Sequence, residues 1–188
     1  MSPAEPSARV LESVRALRSI GFFADRTGSD ADVAATLVDD YRDSWGSDPH
    51  DDEALLDLDL LRFDEDRAWW EDTEADVLPG NDAYVEAIRG WAAISREALH
   101  PEAPSESWDS PTGPIRIRLS QDGRVHELVA RYLDDYLDMG VLDGLNRVIA
   151  DSPYRFRMHA AFDQTAFVIA CDERERRLLE ERGWSFAT

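Results

Sequence analysis

The spacing of apolar side chains changes along the chain. Up to about residue 99 they recur mostly at helical intervals, and from residue 114 onward they alternate with polar ones. Val10, Leu11, Val14, Leu17 and Ile20 predict a helix over 8–20, with Ser7 placed to cap it and Gly21 to end it. Residues 1–7 read as a loose arm. Ser29-Asp30-Ala31-Asp32 has the form of a capping box. It opens a second helix on which Val33, Leu37, Tyr41 and Trp45 fall at i+4 spacing, until Gly46 and Pro49 stop it. Residues 53–78 fit neither period cleanly, because Leu55, Leu56, Leu58, Leu60, Leu61 and Phe63 are interleaved with Asp57 and Asp59. A helix near 52–61 and then an extended piece over 68–70 is the expectation there. Pro79-Gly80-Asn81 breaks the chain, and Asn81 is placed to cap a helix over 82–98 with Val85, Ile88, Trp91 and Ala92 inward.

Residues 100–113 contain Pro101, Pro104, Pro111 and Gly113 and read as a connecting loop. Beyond them Ile115, Ile117 and Leu119 alternate with Arg116 and Arg118, as on a half-buried strand, and a turn at 120–123 leads to a second strand over 124–129. A helix is expected over 138–150, then a strand in which Tyr154, Phe156 and Met158 alternate with Arg155, Arg157 and His159. Residues 165–171 form a nearly continuous apolar strand, and Asp172 and Glu175 suit the start of a last helix that ends before Gly183. The fold class expected is α+β: a helical N-terminal half packed with a C-terminal ββαββα antiparallel sheet layer. A single compact domain over 8–188 is expected, with subregions 8–99 and 114–188.

Charge separates the two halves further. The chain has 40 acidic residues against 20 arginines, no lysine, and a net charge of −20. Residues 1–110 hold 27 acids against 9 arginines, whereas residues 111–188 hold 13 against 11. A field of that sign attracts cationic partners and opposes nucleic acid. Arginine-rich, lysine-free composition also follows from GC-rich codon usage, and acidity from salt adaptation, although salt adaptation should acidify both halves. With 43% hydrophobic residues, six Trp and seven Phe, the chain has enough apolar surface to build a core. No apolar run is long enough for a membrane span, and residues 1–9 lack the form of a signal peptide, so a cytoplasmic protein is expected.

The chemistry-bearing motifs are few. There is no Gly-rich phosphate loop, His-Glu-x-x-His, Cys-x-x-Cys or Gly-x-Ser-x-Gly. His50, His100, His126 and His159 are dispersed, and Cys171 is the only cysteine, so zinc-ligand spacing is missing and no internal disulfide can form. Neither a cofactor nor a metal is expected. Asp134-Asp135-Tyr136-Leu137-Asp138 would place Asp134 and Asp138 on one helical face, where they could hold Mg²⁺; a solvated turn is the plainer reading.

Trp69-Trp70, with Glu71, Asp72, Glu74 and Asp76 directly after, is the most unusual run. With Asp64, Glu65 and Asp66 it forms a candidate partner-binding segment. The tryptophans would supply contact area and cation–π attraction, and the carboxylates steering, toward an Arg- or Lys-rich protein. Arg116, Arg118, Arg155 and Arg157 are the candidate anion-binding or intramolecular contact face of the C-terminal sheet. The functional expectation is a non-catalytic, acidic protein-binding module, in its specific form an immunity or inhibitor protein against a basic bacterial enzyme or toxin. The alternatives are a metal-dependent hydrolase using Glu71, Glu74 and Asp76, and an accessory protein whose acidity is only compositional.

Overall fold

The computed structural model describes residues 6–159 and 164–187. Most of the arm expected at 1–7, up to residue 5, lies outside the described residues. Among the described residues six helices and two three-stranded sheets make an α+β architecture, and the contacts group the chain into two compact units: residues 1–68 with 174–184, and residues 69–173 with 185–188.

The first unit is helical. Helix α1 (Ala8–Ile20) begins where the Ser7 hydroxyl accepts the Val10 N–H, and it ends at Gly21, whose φ of 103° is accessible to glycine at little cost. Helix α2 (Asp30–Trp45) carries the expected capping box, with Ser29 and Asp32 each accepting the other's backbone N–H. Helix α3 (Glu53–Leu61) is capped by Asp52, and every residue from 56 to 61 is buried, Asp57 and Asp59 included. That accounts for the ambiguous pattern, since a helix buried all round has no polar face to reveal its period. Val14, Leu17, Leu37, Leu58, Leu60 and Leu61 are fully enclosed.

The C-terminal helix α6 (Glu173–Glu181) contributes most of its length to this unit. Just past its end, the Arg182 guanidinium donates to both Asp57 oxygens at 2.6 and 2.7 Å, and Ser13 and Trp184 complete the cluster. Asp59 accepts the His50 backbone N–H at 2.8 Å and lies 2.7 Å from His50 Nδ1. The two buried carboxylates are therefore partnered, as buried charges must be.

The second unit holds β1 (Ala68–Asp72) from Trp69 onward, α4 (Ala83–Ala93), β2 (Glu102–Trp108), β3 (Ile115–Gln121), β4 (Arg124–Ala130), α5 (Val141–Val148), β5 (Arg155–His159) and β6 (Thr165–Cys171). The strands form two sheets in the orders β2-β3-β4 and β1-β6-β5. The β3–β4 hairpin turns on Asp122-Gly123, both at positive φ, the geometry that matches strand twist in a two-residue loop. Its core combines Tyr84, Ile88 and Trp91 of α4 with Ile115, Ile117 and Leu119 of β3, Leu142 and Leu145 of α5, and Val168 of β6.

The expected ββαββα order is present from residue 115, but its strands are divided between the two sheets instead of forming one layer. Residues 102–108, expected as loop, form strand β2. Their sequence is too polar to show alternation, and the strand exists because it pairs antiparallel with β3. Helix α4 starts one residue later than expected and stops at Ala93. Asp82 stands at the N-cap with φ 55°, while the Asn81 side chain accepts the Leu78 and Ala83 N–H groups. The charge asymmetry of the linear halves is absent from the folded units. The helical unit has 20 acids against 11 arginines and the sheet unit 20 against 9, because the arginine-rich C-terminal segment belongs to the acidic helices.

Candidate functional site

The structure divides the candidate segment 64–76 by environment. Asp64 is 2% exposed, and its Oδ2 accepts the Phe23 N–H at 2.6 Å. Burial pushes its carboxyl up to about 6, against the opposing pull of that hydrogen bond and of Arg67. Asp64 is thus an internal anchor of the helical unit, and it is removed from the set of partner contacts. Glu65 and Asp66 are exposed.

In the sheet unit Trp69 turns inward. Its ring meets Trp91 edge-on at 5.5 Å, and it lies so close over α4 that a Cβ at Gly90 would fall 2.7 Å from Trp69 Cδ1. Trp69 is therefore a packing residue, Trp70 is half-buried, and Glu71, Asp72, Glu74 and Asp76 are exposed.

The surroundings of the segment just after β1 have no signal in the sequence. Residues 73–75 run beside residues 133–137: Ala75 N–H donates to the Asp135 carbonyl at 2.9 Å, Leu137 N–H to the Thr73 carbonyl at 2.9 Å, and Glu74 bridges Tyr136. Gln164 ties the same place together by donating to Glu74 and to the Tyr136 hydroxyl. The acid run after the tryptophans and the Asp134-Asp135 pair therefore lie on adjoining segments. Glu71, Asp72, Glu74, Asp76, Asp134 and Asp135 are all exposed, and none forms an ion pair among the described residues. Asp138, the last member of that motif, is buried. Against the cost of burial, hydrogen bonds from the Arg131 side chain and backbone and from Gly140 N–H hold its carboxyl below the usual range. Its backbone is fixed by Tyr84, whose hydroxyl accepts the Asp138 N–H at 2.7 Å. Asp134 and Asp138 therefore have different surroundings and do not make a pair. Among the described residues no three carboxylate, imidazole or thiol groups come together in an arrangement that could hold a metal.

The four candidate arginines do not share a face. Arg116 and Arg118 lie on β3 and Arg155 and Arg157 on β5, which belong to different sheets. Arg116 is closed between Asp109 at 2.8 Å and Glu127 at 3.0 Å, and it holds the Asp109 carboxyl below its ordinary value. Arg155 spends its donors on the carbonyls of Ile149, Ala150, Ser152 and Tyr154 at and just beyond the end of α5. Arg157 lies 3.8 Å from Glu173. His159 and Cys171 are both buried, and burial lowers the His159 imidazole.

In the helical unit a cleft of about 590 Å³ is lined by Arg9, Glu12, Asp51, Asp52, Glu53 and Arg182, among others. Part of its charge is used internally. Arg182 is committed to Asp57 and Glu53, and Arg9 donates to the Asp51 carbonyl.

These features define an α+β protein with two compact units and an exposed carboxylate cluster. Comparison with protein-family models, with curated proteins and with solved structures yields no match. No helix among the described residues is long and apolar enough to cross a membrane.

Proposed function

We propose that this chain is a non-catalytic binding module that captures a basic protein. The observation that carries the reading is that the segment 71–76, the end of β1 and the turn after it, adjoins the loop 133–137 through residues 73–75, so that six exposed carboxylates lie on neighbouring segments with no arginine paired to them among the described residues. Like charges held together repel one another, and the cluster is relieved when a cationic surface covers it. The half-buried Trp70 directly precedes Glu71 in β1, and tryptophan is a residue on which binding energy concentrates. An immunity or inhibitor role against a basic enzyme or toxin is the specific form of this proposal. A fast, electrostatically steered capture is what such a role requires.

The test is capture from a lysate of the source cells at low and at moderate salt. The wild type is compared with a variant carrying Asp72→Asn, Glu74→Gln, Asp134→Asn and Asp135→Asn. The expected result is one basic protein, held at low salt, weakened by added salt, and lost or weakened in the variant. A partner whose retention ignores salt, or ignores the four substitutions, would refute the proposal.

A further inference from the structure

The carboxylate cluster is one surface of the sheet unit; the outer edge of β4 is another, with different chemistry. Sheet edges expose unpaired backbone groups, and most edges here are blunted. Strand β2 carries Pro104 and a register shift between Glu102 and Ser105. The edge of β5 is clamped: Phe156 N–H donates to Asn146 Oδ1 at 2.7 Å, Asn146 Nδ2 donates to the Phe156 carbonyl at 3.0 Å, and Ala187 N–H donates to the Met158 carbonyl. Strand β1 is five residues long and ends in Glu71 and Asp72.

Strand β4 is less protected, with Arg124 and Glu127 as its charged residues. It is seven residues long, without proline, bulge or lysine, and it pairs on one side only, with β3. The hairpin closes on Gln121 opposite Arg124, so alternate residues from Arg124 direct their backbone groups toward β3, and those of Val125, Glu127 and Val129 point outward. The next outward N–H, that of Arg131, is accepted by Asp138 at 2.9 Å. The three before it have no acceptor among the described residues. Val125 and Val129 are 56% and 55% exposed.

Beside this edge runs a groove of about 390 Å³. One wall is four consecutive residues of β4, 126–129. The other is a single face of α5 and its start: Gly140, Val141, Gly144, Arg147 and Val148. Gly144 allows this approach, since a Cβ there would lie 2.8 Å from Leu128 Cδ2. A strand edge facing a helix across a shallow groove is the geometry in which proteins accept an added strand.

Charge selects the occupant. In a chain with twice as many acids as arginines, Arg147 lines this groove and Arg124 stands on the same face of β4 as His126 and Leu128; both are exposed, and neither makes an ion pair or hydrogen bond among the described residues. Arg116 and Arg131 beside them are closed by carboxylates. A second copy of the chain fits poorly. Antiparallel pairing of β4 with itself, with the valines in register, sets Glu127, which Arg116 bridges, opposite Glu127 of the partner subunit and brings no carboxylate to Arg124 or Arg147. We infer that the β4–α5 groove binds an extended segment of another protein, added as a fourth strand beside β4, with acidic side chains on one face meeting Arg124 and Arg147. The outward valines supply apolar contact, and the Val125, Glu127 and Val129 backbone groups supply the ladder.

The probe is a blocked seven-residue peptide alternating valine and glutamate, titrated into the ¹⁵N-labelled full-length chain. Its counterpart has lysine in place of glutamate. The expected result is perturbation and slowed hydrogen exchange at the Val125, Glu127 and Val129 amides with the glutamate peptide, and about tenfold or more weaker binding of the lysine peptide. Arg147→Glu should reverse that preference. Val129→Pro removes one outward N–H without touching the β3 ladder. It should keep the melting transition and lose the peptide. Unchanged amides at millimolar peptide, or equal binding of the two peptides, would overturn the inference. A dimer in sedimentation that Val129→Pro converts to monomer would also overturn it, by assigning the edge to a second copy.

Discussion

Asp64 and Asp57 are buried carboxylates with opposite kinds of partner. Asp64 is held chiefly by a backbone N–H, and its carboxyl stands at about 6 against an ordinary value of 3.8. Between those values the folded chain binds more protons than the unfolded one, so this group's contribution to stability falls as pH rises through the window and is constant above it. Asp64→Asn keeps an acceptor for Phe23 and removes the charge. Urea unfolding over a pH series should show the variant gaining on the wild type from about pH 4 to about pH 6, by up to about 3 kcal/mol, and then a constant difference. A difference independent of pH would contradict the burial argument. Asp57 instead has a bidentate guanidinium from a residue far along the chain. Arg182→Ala strands that carboxylate in the core and should cost about 3–5 kcal/mol, with part of the loss recovered by adding Asp57→Asn.

Among the elements, α4 and β1 are joined through the contact of Gly90 with Trp69. Gly90→Ala gains about 1 kcal/mol of helix propensity. It also puts a methyl 2.7 Å from the Trp69 ring. Displacing that ring from Trp91 should reverse the sign and leave a net loss of about 1–3 kcal/mol in denaturant unfolding. Elements with local signals were legible in the sequence. Ser7, the Ser29–Asp32 box and Gly46 marked their helices closely, and the Ile115–Leu119 alternation marked β3. Strand β2 was not legible, because its polar residues become a strand only by pairing with β3. Helix α3 was half-legible, because Asp57 and Asp59 look like solvent positions until Arg182 and His50 are placed against them. The carboxylate cluster was legible in its parts. Its assembly depends on the backbone bonds between residues 73–75 and 135–137, which no local pattern encodes. Arg116 and Arg157 show the converse: similar alternation placed them together on paper, and the topology puts them in different sheets.

At the scale of the molecule, the net charge of −20 is shared nearly evenly between two units, where the linear sequence concentrated it in one half. Self-repulsion of this size is screened by salt. The melting temperature should therefore rise between about 20 mM and about 300 mM NaCl, where the screening length shortens from roughly 20 to 6 Å. A melting temperature that falls with salt would mean that attractive ion pairs such as Arg116–Asp109 outweigh the repulsion.

The proposed role places the functional part of that charge on the segments 71–76 and 133–137, and the most direct test is capture of a basic protein by the wild type and by the chain carrying Asp72→Asn, Glu74→Gln, Asp134→Asn and Asp135→Asn, each at low and moderate salt. One retained protein is predicted, with binding that is salt-sensitive in the wild type and weakened or lost in the variant. Equal retention by both chains, or retention indifferent to salt, would contradict that role.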